Sequence, residues 1–446
     1  MQTKSLDMTQ GNIASLLVRF AVPLLIGNVF QQLYNTADCV IVGNVLGKDA
    51  LGAVGSTTHI IWALIGFFNG FSTGAGVVIS QAFGAKNYDD LQKAVHTTLT
   101  GTLILGAFMT GIGIAVSPLI LRLIATPAEI FVQAEVYLKI YFGGIIFLLL
   151  YNMGTGILHA VGDSKRPLSF LLFSSVLNIV FDVLFVVVFR WGIAGAAYAT
   201  VLAEVISAAA VLFLLFHADD VYRVRLRSFG IDFATLKKIV YIGIPGGISG
   251  SITYFSNTFM QRYFNVFGSA CTAAWASFSK VDQFSYLPMT SISFSVATFV
   301  GQNYGAKNYA RIRQGIRVAV RIGLVSIGVI SVLVLVLARQ CIALFTREPD
   351  VIRFGVLFIY AAAPWYFLCC LSMTFSQVMR GLGNVVVPTI TGFCGFVATR
   401  QIYLFAVSRL TDSFAPIPFA YPLGWPVAFG LGYAYYRWYT KTRLGL

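Results

Sequence analysis

The segment Gln81-Ala82-Phe83-Gly84-Ala85-Lys86-Asn87-Tyr88 returns 221 residues later (81 to 302) as Gln302-Asn303-Tyr304-Gly305-Ala306-Lys307-Asn308-Tyr309. A second pair keeps that offset: His159-Ala160-Val161-Gly162-Asp163, followed by Pro167, aligns with Arg380-Gly381-Leu382-Gly383-Asn384, followed by Pro388. A third lies near the start of each half. Pro23 and Asn35-Thr36 lead to Pro245 and Asn257-Thr258 at an offset of 222, and Asn44-Val45-Leu46-Gly47 returns at 221 as Asn265-Val266-Phe267-Gly268. Three collinear matches at nearly one offset read as a single unit written twice.

The residues around these markers are apolar. Of 446 residues, 57% are hydrophobic and only 11% charged, under half the roughly 25% of a soluble globular domain. The mean hydropathy is +0.79. Such a chain cannot coat itself for water, which excludes a disordered or nucleic-acid-binding scaffold and makes the lipid bilayer its solvent and partner. The net charge of +14 does not argue for nucleic acid, because the basic residues lie mostly between apolar runs. Cys39, Cys271, Cys341, Cys369, Cys370 and Cys394 form no CxxC pair and read as small membrane hydrophobes. No short apolar stretch ends in a cleavage site, so no removable signal peptide is expected.

A spanning helix takes about 20 predominantly apolar residues. Helices are predicted at 13–40, 50–80, 91–116, 130–157, 165–188, 192–216, 236–264, 270–300, 315–342, 352–378, 383–410 and 418–440. Continuous runs such as Phe170–Val188 and Ile322–Leu337 do not alternate as barrel strands would. The predicted fold class is therefore all-α: a polytopic membrane protein with 12 transmembrane helices in two six-helix repeats. An even number of spans per repeat gives both copies the same orientation, so the repeats are parallel. The expected organisation is an N-lobe over 1–216, a cytoplasmic linker over 217–238 and a C-lobe over 239–446. Asp232 reads as the N-cap of the first C-lobe helix. Most of the 31 Lys and Arg fall at the termini and in the connections after even-numbered spans, which predicts both termini to be cytoplasmic. The basic runs read as topology signal and contact with anionic lipid.

Gly66, Gly70 and Gly74 stand at four-residue spacing, which lets a neighbouring helix approach closely. Pro23, Pro245 and Pro288 fall within spans, where they kink helices and free carbonyls.

Ionisable residues deep in a bilayer are costly and mark function. Asp38, Asp182, Glu204 and Asp282 are the acids read as falling well inside spans; the others fall in connections or near span ends. Asn178 and Asp182 are four apart on span 5, Ala196, Thr200 and Glu204 form a stripe on span 6, and Tyr34, Asn35 and Asp38 lie on span 1. Stripes on three helices escape lipid only by facing the inside of one lobe. Two carboxylates, an amide and a hydroxyl are hard oxygen donors suited to an alkali or alkaline-earth cation and not a soft metal, and two neighbouring carboxylates also favour holding one H⁺. Glu204 is expected nearer its span end and Asp282 at a span edge beside Lys280, so both are weaker candidates. His59, His96, His159 and His217 are expected at the interface. No P-loop or HExxH occurs, and Ser277-Phe278-Ser279-Lys280 is too short a match to SxxK to carry an enzyme. Aromatic side chains, including 38 Phe and 21 Tyr, suit a flat or cationic organic substrate.

These residues resemble the multidrug and toxic compound extrusion (MATE) transporters over nearly the whole chain. The resemblance rests on Pro23, Asn35 to Asp38 with Gly47, the doubled Gly84–Tyr88 and Gly305–Tyr309 segments, and Gly162-Asp163 before Pro167. It also rests on Asn178 to Asp182 and on Gly192 to Thr200. It implies a V-shaped pair of six-helix lobes exporting organic, cationic or amphipathic compounds in exchange for Na⁺ or H⁺. It implies an N-lobe cation site at Asp38, Asn178, Asp182, Ala196 and Thr200; Tyr34, Asn35 and Glu204 are further candidates from the sequence itself, for ion coupling or for a polar network around the site. Acids that some members carry on spans 7 and 10 are replaced here by Asn257, Gln261 and Gln377, which places coupling in the N-lobe. The expectation is a monomeric multi-pass protein of the inner membrane, with a small organic substrate, no cofactor and no enzymatic activity. A flippase or exporter of a lipid-linked saccharide or a physiological metabolite, and an intramembrane enzyme using Asp38 and Asp182 as an acid pair, are the competing readings.

Overall fold

A computed structural model describes residues 5–124, 126–411 and 413–443. The side chains of Cys39, Lys48, Leu51, His59, residues 252–255 and Thr258 lie outside the described set. The expectations for Cys39, His59 and Thr258, and for the first residues of the polar N-terminal stretch, therefore fall outside the described residues. Among the described residues the chain is helical throughout, with no strand.

The first half gives α1 (Ile13–Leu46), α2 (Lys48–Gly84), α3 (Tyr88–Leu123), α4 (Ala128–Ala160), α5 (Lys165–Asp182) and α6 (Gly192–His217). The second gives α7 (Phe233–Asn265), α8 (Ser269–Gly305), α9 (Tyr309–Val336), the short α10 (Ala338–Ala343), α11 (Pro349–Ala362), α12 (Tyr366–Gly381), α13 (Val386–Phe393), α14 (Arg400–Leu410) and α15 (Ala420–Arg443). Turns of π-helix extend α5 over Val183–Val188 and join α13 to α14 over Cys394–Thr399.

The doubled segments are the connections, and their backbones explain the doubling. At the end of α2, Asn87 N donates to Ala82 O and Lys86 N to Phe83 O. At the end of α8, Asn308 N donates to Asn303 O and Lys307 N to Tyr304 O. This paired pattern closes a helix around one left-handed residue, here Lys86 (φ 55°) and Lys307 (φ 57°). The following Asn then caps the next helix: Asn87 Oδ1 accepts from Asp90 N at 3.2 Å and Asn308 Oδ1 from Arg311 N at 3.3 Å. The other two matches work alike. Gly162 and Gly383, and Gly47 and Gly268, all take φ between 85° and 90°, which glycine adopts without steric cost.

The chain divides into two compact units. One holds the described residues up to Asp7 with Pro23–Ile244, and the other holds those of Met8–Val22 and Pro245–Leu446. The unit boundaries thus fall at Pro23 inside α1 and Pro245 inside α7. In the second unit, Arg311 donates to Met8 O and Gly11 O, and Met8 N donates to Gln302 Oε1.

In the first unit α4 is the central helix, packed on α2, α3 and α6. Lipid tails are as apolar as leucine, so close packing and not burial from water must hold such helices. A Cβ at Gly154 would lie 2.3 Å from Val211 on α6, so glycine is what permits this approach. Gly74 lies against Gly243 in the same way, at 2.6 Å from an added Cβ, as the small-residue spacing on α2 predicts. The 217–238 segment is held on this unit. Arg225 N donates to His96 Nε2 at 3.0 Å and Asp232 N to Thr97 Oγ1 at 3.0 Å. His96 is therefore buried and structural, not interfacial. Asp232 caps α7 as expected: its Oδ1 accepts from Thr235 N at 2.7 Å, and those hydrogen bonds hold its carboxyl below the usual range.

Among the described residues nine helical stretches are long and apolar enough to cross a membrane. All six of the first half qualify. In the second half α7, α8 and α15 do not, although they are 33, 37 and 24 residues long. The physical reason is visible on α8, whose Ser277, Asp282, Ser285, Ser291, Ser293 and Ser295 are all buried. Polar residues turned inward lower the mean hydropathy of a helix without wetting its outer face.

Candidate functional site

The helix α5 is built inside out. Phe173, Val176, Val180, Val183 and Val187 are exposed along one stripe, while Ser175, Asn178 and Asp182 are buried on another. In water that pattern would be backwards; in lipid it is the stable choice. Regular α-helix stops at Asp182 and the π turn starts at the next residue. Inserted π turns recur at functional sites, because they displace side chains from the α register.

Asp182 is fully buried. Its carboxyl and that of Asp38, carried by α1, come within hydrogen-bonding reach of each other. Neither oxygen of Asp182, nor Oδ1 of Asp38, accepts a hydrogen bond from a donor among the described residues. No Lys or Arg forms an ion pair with either of them there. Asn178, one turn before Asp182, is buried with its Oδ1 unpaired. The Asp38 and Asp182 juxtaposition is what the sequence reading required.

The remaining candidates fall around this pair unevenly. Along α6, which packs on α5, Ala196 is buried and its carbonyl accepts from Thr200 Oγ1 at 3.2 Å. No hydrogen bond joins Thr200 or Asn178 to either carboxylate among the described residues. Glu204 sits midway along α6, not near its end as expected from the apolar run. Its Oε2 is buried without a partner, and its charge acts on Tyr34, Tyr141 and Tyr151. Tyr34 also feels Asp38 and hydrogen-bonds Gln31, which links Glu204 electrostatically to the pair. Asn35 is half-buried on α1 and is not drawn into the cluster.

Among the described residues, no group of three or more His, Cys, Asp or Glu is placed to hold a metal ion. What the cluster offers is two carboxylates and uncommitted oxygens in a poorly hydrated lobe. Two such carboxylates cannot comfortably ionise together. They can hold one positive charge between them, as a proton or a hard monovalent cation on oxygen ligands.

The second unit holds a polar centre that the sequence reading underrated. Asp282 is not at a span edge but deep in α8 and buried. Its Oδ1 accepts from Tyr366 OH at 2.7 Å and its Oδ2 from Tyr421 OH at 2.6 Å. Arg400, only 1% exposed, donates through Nε to Tyr421 O at 3.0 Å and stacks 4.4 Å from the Tyr421 ring. Asp282, Arg400 and Tyr421, with Arg380 and Gln377, line a cavity of about 520 Å³. The sequence signal was Arg400 inside an apolar span. What hid the rest is that the hydrogen-bond partner of a tyrosine hydroxyl cannot be read from its place in the chain.

Comparison with known proteins places the chain. The sequence profile of the MatE family matches residues 23–184 and again 245–402, one match per half. The probable multidrug resistance protein YoeA of Bacillus subtilis is 30% identical over 432 residues, covering 95% of this chain and 93% of its own. The probable multidrug resistance protein YpnP of the same organism is 31% identical over 404 residues, 89% of each chain. Among solved structures, one described as the outward-facing conformation of a multidrug resistance MATE family transporter of the MOP superfamily superposes with a TM-score of 0.92 over 99% of both chains. At 23% identity it speaks for the fold.

Proposed function

The chain belongs to the MatE family of membrane transporters, and from that premise we propose that it exports amphipathic organic compounds, the expected cations among them, in exchange for Na⁺ or H⁺. The relatives named for multidrug resistance support this class of substrate. The observation that carries it is the buried Asp38–Asp182 carboxyl pair, which has no basic partner among the described residues. A coupling ion entering the first unit neutralises the pair, with Asn178, the Ala196 carbonyl and Thr200 as further oxygen donors and Tyr34, Asn35 and Glu204 as its surroundings. Loss of the carboxylate repulsion changes how α1 and α5 pack, and alternating access follows from that change. One charge moving through the membrane field gains about 2.3 kcal/mol per 100 mV, enough to bias such an equilibrium. The protein works as a monomer in the inner membrane with both termini cytoplasmic.

The test is efflux of a cationic dye such as ethidium from vesicles under Na⁺ and pH gradients imposed separately. One gradient should drive efflux, and Asp38→Asn should abolish it in a protein that still inserts and elutes as a single species. Efflux indifferent to both gradients, or undiminished in Asp38→Asn, overturns the reading. A flippase of lipid-linked saccharides would export no dye under either.

A further inference from the structure

The cavity in the second unit has an unbalanced charge. Three ionisable groups of fixed sign line it: Asp282, Arg380 and Arg400. Asp282 is saturated, each oxygen accepting one tyrosine hydroxyl, and it is electrostatically coupled to Arg400. Arg400 is itself anchored, by Tyr421 O, by Asn257 Oδ1 at 3.4 Å and by the faces of Tyr421 and Phe396. That leaves Arg380. Its Nε is buried and meets no hydrogen-bond partner among the described residues. One turn earlier on α12, and so on the same face, Gln377 holds its Oε1 buried and unpartnered as well. Arginine does not lose its proton in proteins, and a buried guanidinium without an acceptor is costly. The lining therefore carries one positive charge in excess and an unused donor fork.

We propose that this cavity is a binding site for an amphipathic organic carboxylate. The carboxylate oxygens pair with the Arg380 guanidinium, the Gln377 amide nitrogen adds a donor once its side chain turns, and Trp275 and Tyr286 on the wall receive the apolar body. Guanidinium and carboxylate match as two parallel charge-assisted hydrogen bonds. A cavity of about 520 Å³ is the size of a site for a drug-sized molecule. A bound monoanion neutralises the lining, whereas a bound cation would double its excess. The proposal deepens the exporter reading by adding anionic and zwitterionic compounds to its substrates, and it rests on that reading only for its physiological use. The site itself is tested by binding without any gradient.

The experiment uses the full chain in detergent and follows tryptophan fluorescence during titration with 2-naphthoate, 2-naphthamide and 2-naphthyl phosphate. Naphthoate should bind and naphthamide should bind about tenfold or more weakly, the size of one lost charge-assisted hydrogen bond. Arg380→Gln should weaken naphthoate to the level of naphthamide, and Arg380→Lys should recover part of the loss. Should the Arg380 variants not fold, Gln377→Glu carries the test: it places a carboxylate beside Arg380 and should abolish naphthoate binding in a protein at least as heat-stable as the parent. Equal affinity for naphthoate and naphthamide, or undiminished binding in both Arg380→Gln and Gln377→Glu, overturns the proposal. So does naphthyl phosphate binding more tightly than naphthoate together with displacement by phosphatidate vesicles, which would make this a lipid-phosphate site. Carboxylate binding in a protein that exports nothing would sink the exporter reading and leave the site standing.

Discussion

At Lys86 and Lys307 the two halves fold alike, with φ of 55° and 57° and the same closing hydrogen bonds; at Asp182 and Tyr403, which the same offset aligns, they part. Among the described residues, the first unit sets two carboxyl groups against each other with no basic partner. The second sets one carboxylate, which tyrosines already satisfy, in a cavity whose lining also carries two arginines. Thr200 and Glu204 correspond to Tyr421 and Trp425, and His159 to Arg380. Even the π turns are used with opposite sign: one begins straight after Asp182, the other ends straight before Arg400. The doubled chain has kept what its backbone turns demand and exchanged what its interior charges do. A cluster lacking a cation can take up an ion; a cluster with an excess cation can take up an anion.

Substitutions can break this contrast or sharpen it. The largest effect belongs to the first unit. Asp182→Asn should remove gradient-driven efflux altogether, like Asp38→Asn, and transport assays in vesicles read this directly. Coupling that survives in Asp182→Asn would end the distinction between the lobes. In the second unit the comparable change acts on stability. Asp282→Asn weakens two hydrogen bonds to a charged acceptor, each worth about 1.5–3 kcal/mol, and leaves Arg400 without its counter-charge. Its melting temperature in detergent should fall sharply, and an unchanged melting temperature would mean that Asp282 holds nothing together.

Packing supplies a smaller contrast. Gly154→Ala puts a Cβ 2.3 Å from Val211, whereas Gly430→Ala in α15 meets nothing within 4 Å. The first should cost about 1–3 kcal/mol of overpacking and the second should be near neutral by thermal melting. The smallest effect tests sameness. Asn87→Ala and Asn308→Ala each remove an equivalent helix cap, worth about 1 kcal/mol, and should lower the melting temperature about equally. Unequal shifts would show that the doubled turns are not energetically equivalent.

These contrasts also mark what could be read from the chain before its structure. The repeat was legible because a left-handed residue followed by a capping Asn leaves a fixed signature, as at Lys86-Asn87. The first-unit pair was legible because an acid in an apolar helix has one safe direction to face. Three things were not. Glu204 and Asp282 were misplaced along their helices because hydropathy runs locate span ends poorly. The role of Arg400 depends on Asn257, Tyr421 and Phe396, which are distant in sequence. The shift of the unit boundary to Pro23 and Pro245 depends on which helix each segment packs against, and no local pattern encodes that.

The most direct test of the division between the lobes is ion flux itself, measured as substrate-dependent entry of ²²Na⁺ or acidification of the lumen in vesicles bearing the parent protein, Asp182→Asn or Asp182→Glu. The account predicts that flux disappears with the amide and returns in part with the longer carboxylate. Undiminished ion flux through Asp182→Asn would contradict it.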